Sequence, residues 1–260
     1  MYKVNNELFN EPNCPVNRDK SSKEKTKGCS RPIPGKASGG CAFDGAQIVL
    51  LPVADCAHII HGPNLCCSHN YFTRGTRTSH NKPLYNYGFT TDLSELDIIF
   101  GAEDKLVNKI ISVYNDYKPS AIFVYSTCVS SMIGEDLESI CKKAREIINI
   151  NVIPVDSPGF IGKKNFGNKI AGDALFKYVI GTGKPEYITN RDICIIGEYN
   201  IAGELWNILP LFKELNIRVL SKITGDSTYN EITYAHHAKC SVVICSQALL
   251  SLARKLKTVY

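Results

Sequence analysis

Three cysteines, Cys41, Cys66 and Cys128, stand among glycine, proline and small polar residues, whereas most of the other eight lie in apolar or charged periodic runs. Their contexts are Gly39-Gly40-Cys41, His61-Gly62-Pro63-Asn64-Leu65-Cys66 and Tyr125-Ser126-Thr127-Cys128. A cysteine inside a hydrophobic strand usually serves packing, but one at the mouth of an α/β sheet is available to bind something. Glycine and proline neighbours let backbone approach a bulky inorganic ligand. Three thiolates are one short of the four that commonly hold an iron–sulfur cluster, so a cluster here would need a ligand from elsewhere and hints at a partner chain. The alternative is three unrelated small residues in loops.

The remaining candidates are less specific. Cys67 adjoins Cys66, and two neighbouring cysteines do not easily ligate at one position, so one of the pair is a bystander. Cys56, Cys141, Cys194 and Cys240 read as packing or surface residues; Cys14 and Cys29 lie in a polar arm and could ligate or do nothing. Cys245 falls between a strand and a helix, where it is either a thiolate near a helix N-terminus or a strand residue packed on the next helix. No Cys-x-x-Cys occurs, which removes the main signature of zinc fingers, zinc ribbons and thioredoxin-type pairs. His236 and His237 are adjacent and point apart; His58 and His61 could share a helical face but have no accompanying carboxylate. Gly162–Gly167 offers Lys163 and Lys164 to an anion before a helix, without the spacing of a phosphate-binding P-loop. Arg74, in Arg74-Gly75-Thr76-Arg77, could hold another anionic group. Asp226 reads as a turn former.

Positioning these residues requires alternating strands and helices. Glu103–Tyr117 is an amphipathic helix with Leu106, Ile110, Val113, Tyr114 and Tyr117 on one face. Ala121–Tyr125 is a buried strand that ends in Ser126-Thr127-Cys128. A helix follows over Glu135–Ile148, acidic at its start and basic later, as the helix dipole prefers. Asn151–Val155 is a strand, and a helix spans about Asn168–Ile180. Upstream, Gln47–Ala54 is apolar and Ile59–Asn81 reads as a loop region. Past a linker-like Gly181–Asn190, the pattern repeats: strand Ile193–Ile196, helix Gly203–Leu215, strand Arg218–Ile223, helix Tyr229–Ala238, strand Ser241–Ile244, helix Ser246–Lys257. Such alternation implies parallel sheets with right-handed crossovers, whose ligands bind at the carboxyl ends of strands. Cys128 and Cys245 each fall just past a strand. The resulting division is an extended basic arm over 1–40, a first α/β domain over 41–183 carrying the three cysteines, and a second over 184–260.

Composition narrows the class. The 260 residues are 44% hydrophobic and 21% charged, ordinary for a soluble globular chain. No apolar run approaches a membrane span, and the polar start after Met1 predicts no secretory signal. The cytoplasm is the expected compartment, where eleven cysteines argue against a disulfide framework. Residues 18–36 hold seven Lys/Arg against Asp19 and Glu24, which accounts for the whole net charge of +5. The body is therefore neutral and carries no electrostatic case for nucleic acid; the arm reads as a solvated tail or partner-docking strand.

Several stretches resemble nitrogenase component 1-like proteins: Gly40-Cys41-Ala42-Phe43-Asp44-Gly45-Ala46, Arg74-Gly75-Thr76-Arg77, Gly88–Glu95, Pro154–Phe160, Gly197–Trp206 and Cys245–Leu249. The resemblance runs from about residue 25 to the end, and is strongest to family members that build the iron–molybdenum cofactor. It implies Rossmann-like parallel-sheet domains of the nitrogenase component 1 type. It further implies that Cys41, Cys66 and Cys128 ligate a [4Fe–4S] cluster shared with an N-type partner subunit in an α2β2 heterotetramer. Cys245, with Arg74, Lys163, Lys164 and Asn168, would hold the iron–molybdenum cofactor precursor and homocitrate. The implied partners also include a nitrogenase Fe protein and a precursor-donating radical SAM protein. Where the catalytic α subunit of the family carries a glutamine and a cofactor-facing histidine, this chain has Lys164 and Asn168. Histidine can hand on protons near neutral pH and asparagine cannot, so an assembly scaffold is expected in preference to a catalytic α-type or related reductase subunit. The family's cofactor proteins are longer, with a third α/β domain that closes the cofactor cavity; relative to them the second domain is incomplete, and a fragment acting only as an interaction module is the further alternative.

Overall fold

Strand–helix alternation is what the chain adopts, in a computed structural model that describes residues 40–73, 75–245 and 248–260, and only the backbone within 69–73. The expected arm up to residue 39, with Cys14 and Cys29, and also Arg74, lie outside the described residues. Helix α1 (Ala42–Leu50) leads to strand β1 (Cys56–His61) and helix α2 (Asn64–Thr73). Strand β2 (Phe89–Thr90), the short helix α3 (Glu95–Phe100) and helix α4 (Glu103–Tyr117) follow. Next come β3 (Ala121–Ser126), α5 (Cys128–Met132), α6 (Leu137–Ile148), β4 (Asn151–Val155) and α7 (Lys164–Tyr178). The last part is β5 (Asp192–Glu198), α8 (Glu204–Glu214), β6 (Arg218–Thr224), α9 (Tyr229–Thr233), β7 (Cys240–Val243) and α10 (Leu250–Val259).

Two all-parallel sheets result, ordered β2-β1-β3-β4 and β6-β5-β7. Side chains alternate across β3: Ile122 and Val124 join the core beneath α4 and α6, while Phe123 and Tyr125 face α1 and α7. The second core also takes Cys194 and Ile196 of β5 and Leu249 and Leu252 near α10, so one helical layer is shared between the two sheets. A fully buried Leu or Ile such as Leu106 or Ile110 contributes about 1.5–3 kcal/mol. Pro154, which lacks an amide donor, sits in β4, the last strand of its sheet, where Pro is tolerated. On the outer face of the second sheet the core is small: Ile193, Ile195 and Leu205 of α8.

The helical layer depends on two glycines. A Cβ at Gly45 would stand 1.9 Å from the Lys164 carbonyl oxygen, and one at Gly167 only 1.8 Å from that of Ala42. Helices α1 and α7 therefore cross backbone to backbone, which brings the start of α1 beside the start of α7.

The segment Cys56–His61 corrects the expected loop over Ile59–Asn81: it is a strand buried throughout, followed by helix α2. Two histidines break its apolar pattern, yet both find hydrogen-bond partners inside. His58 Nδ1 pairs with the Tyr125 hydroxyl at 2.8 Å, and burial lowers the pKa of His58 to about 3. Three residues apart on a strand, His58 and His61 lie on opposite faces and share none. The expected helix Tyr229–Ala238 is split into α9 and a 3₁₀ turn at Ala235–His237, and the final helix begins at Leu250 rather than Ser246.

At the start of β5, Asp192 is fully buried and meets the Arg218 guanidinium at 2.7 and 2.5 Å. That partner, with the Thr189 hydroxyl, holds the carboxyl down at about 2. The depressed pKa makes a stability contribution that is fully present above about pH 4, the unfolded value, and is lost as pH falls toward 2. Asp192→Asn should cost about 3 kcal/mol at pH 7, by leaving Arg218 without its counter-charge. The difference from the parent should shrink in thermal melts taken between pH 4 and 2; a constant difference across that window would exclude the ion pair as its source.

Candidate metal centre

The carboxyl ends of β1, β3 and β4 are adjacent, since His61 pairs with Ser126 and Tyr125 with Val155. Each end feeds a turn that carries part of the site. After β1, Gly62-Pro63 leads into the first turn of α2 and Cys66. After β3, Thr127 caps α5, whose first residue is Cys128; the Thr127 amide donates to Ser130 Oγ at 2.9 Å. After β4, the Ser126 hydroxyl donates to Asp156 and accepts from the Ser157 amide, fixing the turn that ends in Gly159. The Thr127 hydroxyl donates to the His61 carbonyl at 3.0 Å, and a Cβ at Gly62 would fall 2.2 Å from that hydroxyl. The Cys66 and Cys128 turns are thus locked together.

Cys41 arrives from the helical layer. It caps α1, its backbone bridges that of Lys163, and the Lys164 amide donates to the Gly40 carbonyl at 3.1 Å. Gly159 shows how close the thiols come. The point where its Cβ would stand lies 3.0 Å from Cys128 Sγ and 3.1 Å from Cys41 Sγ, so the two sulfurs are no further apart than twice that distance. Burial pushes the Cys66 thiol up, and the neighbouring Cys128 and Cys41 push it further. Three cysteines 25 and 62 residues apart in sequence therefore face one another at a sheet edge.

None of the three lies in the plain loop that the sequence suggests; all stand at helix starts. Cys67 turns inward, buried, with its pKa raised by burial and then by Cys66. Among the described residues no three His, Cys, Asp or Glu groups converge tightly enough for a single metal ion. A polynuclear iron–sulfur centre differs, because each ligand sulfur binds a different iron. The donor set fits such a group. The sulfurs of Cys41 and Cys128 flank a glycine that leaves the space between them clear, and a cationic centre would offset the burial and the neighbouring thiols that push the Cys66 thiol up. Around this mouth, Leu65, Met132 and Phe160 are 78%, 78% and 60% exposed.

The other expected site residues are distributed between two places. Lys163 and Lys164 open α7 beside Cys41, Lys163 exposed and Lys164 half-buried. Cys245 lies past β7, half-buried, against Gly197, whose Cβ would come 3.4 Å from its own. Asn168 is buried on α7, one turn before Gly172, where a Cβ would stand 3.1 Å from Leu249. Its side-chain oxygen has no hydrogen-bond partner among the described residues, and neither does the buried Tyr199 hydroxyl. Burial raises the Tyr199 pKa, and the nearby Cys245 adds to that. Sequence reasoning missed Tyr199 and Gly159 as site residues; the only signal was that each falls within a motif just past a strand. Burial likewise leaves Cys141 and Cys194 inert, their thiols pushed up to about 12, while Cys240 is exposed. Asp226 is the turn former expected, with backbone φ of 46° and bonds from Thr78, Ser79 and Trp206.

Residues 41–260 match the family described as nitrogenase component 1 type oxidoreductase. The chain is 54% identical over 98% of its length to the nitrogenase iron-molybdenum cofactor biosynthesis protein NifE of a Nostoc species, covering 53% of that protein. It is 49% identical to the protein of that name from Rippkaea orientalis, over 98% of this chain and 54% of that one. The solved structure of nitrogenase Cp1 at pH 5 superimposes with a TM-score of 0.83 at 31% identity, over 89% of this chain and 48% of that one. The chain spans about half the length of the curated relatives it matches. No helix among the described residues is long and apolar enough to cross a membrane.

Proposed function

The chain belongs to the nitrogenase component 1 type oxidoreductase family, and on that premise we propose that it serves in making the iron–molybdenum cofactor. In this reading it is the scaffold subunit on which the cofactor precursor is matured before transfer to the molybdenum–iron protein. The observation that carries it is the meeting of Cys41 and Cys128 beside Gly159, with Cys66 close enough to feel both, at the ends of three adjacent strands. These thiols would hold a [4Fe–4S] cluster, which supplies electron transfer when bound, with the fourth ligand coming from an N-type subunit in an α2β2 assembly. The exposed Leu65, Met132 and Phe160 beside the thiols support such an interface. The exposed α3 offers a second apolar face, suited to a nitrogenase Fe protein, while a radical SAM protein would donate the precursor. The cytoplasm is the compartment that fits reduced cysteines and these partners.

Cys245 would anchor the precursor. Tyr199 turns an unmatched hydroxyl into the buried interior near it, Asn168 would add its buried, unmatched amide oxygen from α7, and Lys163 and Lys164 provide charge suited to homocitrate or an anionic cluster. Arg74 keeps the anion-binding role implied by its motif. The alternative, a catalytic α-type subunit, is disfavoured by Asn168, which cannot relay a proton.

Anaerobic co-purification with the N-type subunit, followed by iron, sulfide and electron paramagnetic resonance analysis, tests the reading. Cluster iron with negligible acetylene reduction supports a scaffold; vigorous acetylene reduction would move the assignment to the catalytic alternative. Cys245→Ala should keep the iron of the three-thiol site yet lose most in-vitro maturation of the molybdenum–iron protein. Undiminished maturation would exclude Cys245 as the anchor.

A further inference from the structure

His61 closes β1, five residues before Cys66, and its side chain is 1% exposed. Both ring nitrogens are engaged: Nδ1 with the Thr91 hydroxyl at 3.0 Å, and Nε2 with the Glu135 carboxylate. The Glu135 carboxylate can only accept, which puts the ring proton on Nε2. Nδ1 of the neutral ring then accepts from the Thr91 hydroxyl, which itself accepts from the Gly62 amide at 3.1 Å. The second oxygen of Glu135 accepts the Ala102 amide at 2.6 Å. Hydrogen bonds thus run unbroken from Gly62, where the Cys66 turn opens, through Thr91, His61 and Glu135 to Ala102.

Ala102 is where the chain leaves α3 and enters α4. Helix α3 has six residues and none of them is buried; Leu96, Ile99 and Phe100 are all exposed. A helix this short does not persist by itself in water, and packing does not fix it here. Polar ties do. At its leading end, the Leu93 amide donates to the Gly62 carbonyl and the Asn64 amide to Asp92, both at 3.2 Å. At its trailing end stands the Glu135–Ala102 bond. The His61 carbonyl, in turn, takes the hydroxyl of Thr127, next to Cys128.

We propose that His61 is a positioning residue that, through Glu135, holds the exposed helix α3 and the turns of Cys66 and Cys128 as one unit, so that a displacement of α3 is felt at the thiols. The thiol end of this inference rests on the cluster reading above; the mechanical tie does not.

The test uses the chain with its N-type partner, in parent, Glu135→Gln, His61→Gln and His61→Phe forms. Amide hydrogen exchange reads the tie. Glu135→Gln and His61→Phe should speed exchange at Ala102 about 10–100-fold, the worth of one charge-assisted hydrogen bond. His61→Gln, which keeps a donor toward Glu135, should restore part of the protection. The electron paramagnetic resonance spectrum of the reduced cluster reads the coupling: Phe100→Ala should shift it in the parent and leave it unmoved in the His61→Phe background, at equal iron content. Unchanged exchange at Ala102 in Glu135→Gln, or equal spectral shifts in both backgrounds, would overturn the proposal. If the parent complex holds no iron, the cluster reading fails while the exchange result still decides the tie. Should His61→Phe not fold, Glu135→Gln supplies the second background.

Discussion

Cys128→Ala should take the iron content of the co-purified complex from about four atoms at this site to less than one, because an iron–sulfur cube deprived of a thiolate exposes a reactive corner. The side chain to be removed sits at the start of α5, with its sulfur 3.0 Å from the position a Gly159 Cβ would take. The fold should survive, since Cys128 is only half-buried and Thr127 and Ser130 cap the helix without it. Loss of the cluster should also weaken association with the partner subunit, seen as dissociation on dilution. A companion variant separates ligand loss from space loss. Gly159→Val keeps all three thiols but fills the gap between Cys41 and Cys128, and it should lose the iron as well. Full iron in Cys128→Ala would remove that thiol from the ligand set.

Gly167→Ala should be the most destabilising conservative change in the chain's helical layer. Its new methyl would stand 1.8 Å from the Ala42 carbonyl oxygen and 2.7 Å from the Ala46 amide nitrogen, and both neighbours are backbone that cannot swing aside. Helices α1 and α7 must then separate, at a cost of about 3 kcal/mol. In a chain of this size that corresponds to a fall of roughly 6–12 °C in Tm. Iron incorporation should fall in parallel, because Cys41, at the start of α1, is held at the site by its bridge to Lys163. An unchanged Tm would mean that the two backbones are not in contact.

Much of the architecture was legible from local patterns. Glu103–Tyr117 and Asn151–Val155 are found with the ends expected, because a stripe of apolar residues on a helix, or a short apolar run bounded by turns, reports burial from within the segment itself. Cys56–His61 was not legible. Its histidines look like loop residues until Tyr125, Thr91 and Glu135, which lie 30 to 74 positions away, hydrogen-bond to them inside. A buried polar residue reads as exposed whenever its partner is distant in the chain.

The same limit divides the site. Residue type and local setting by themselves marked Cys41, Cys66 and Cys128 as candidates, put Cys128 and Cys245 just past strands, and carried the motifs of the family to which the chain belongs. Tertiary structure alone decided that Cys66 comes within electrostatic reach of Cys41 and Cys128 while Cys67 is buried, and that Gly159 keeps the space between Cys41 and Cys128 clear. It also placed the Tyr199 hydroxyl near Cys245. The reason is physical. Strand and helix periods are properties of neighbouring residues, whereas the distance between two sulfurs is set by strand order and by how closely two helix backbones can approach.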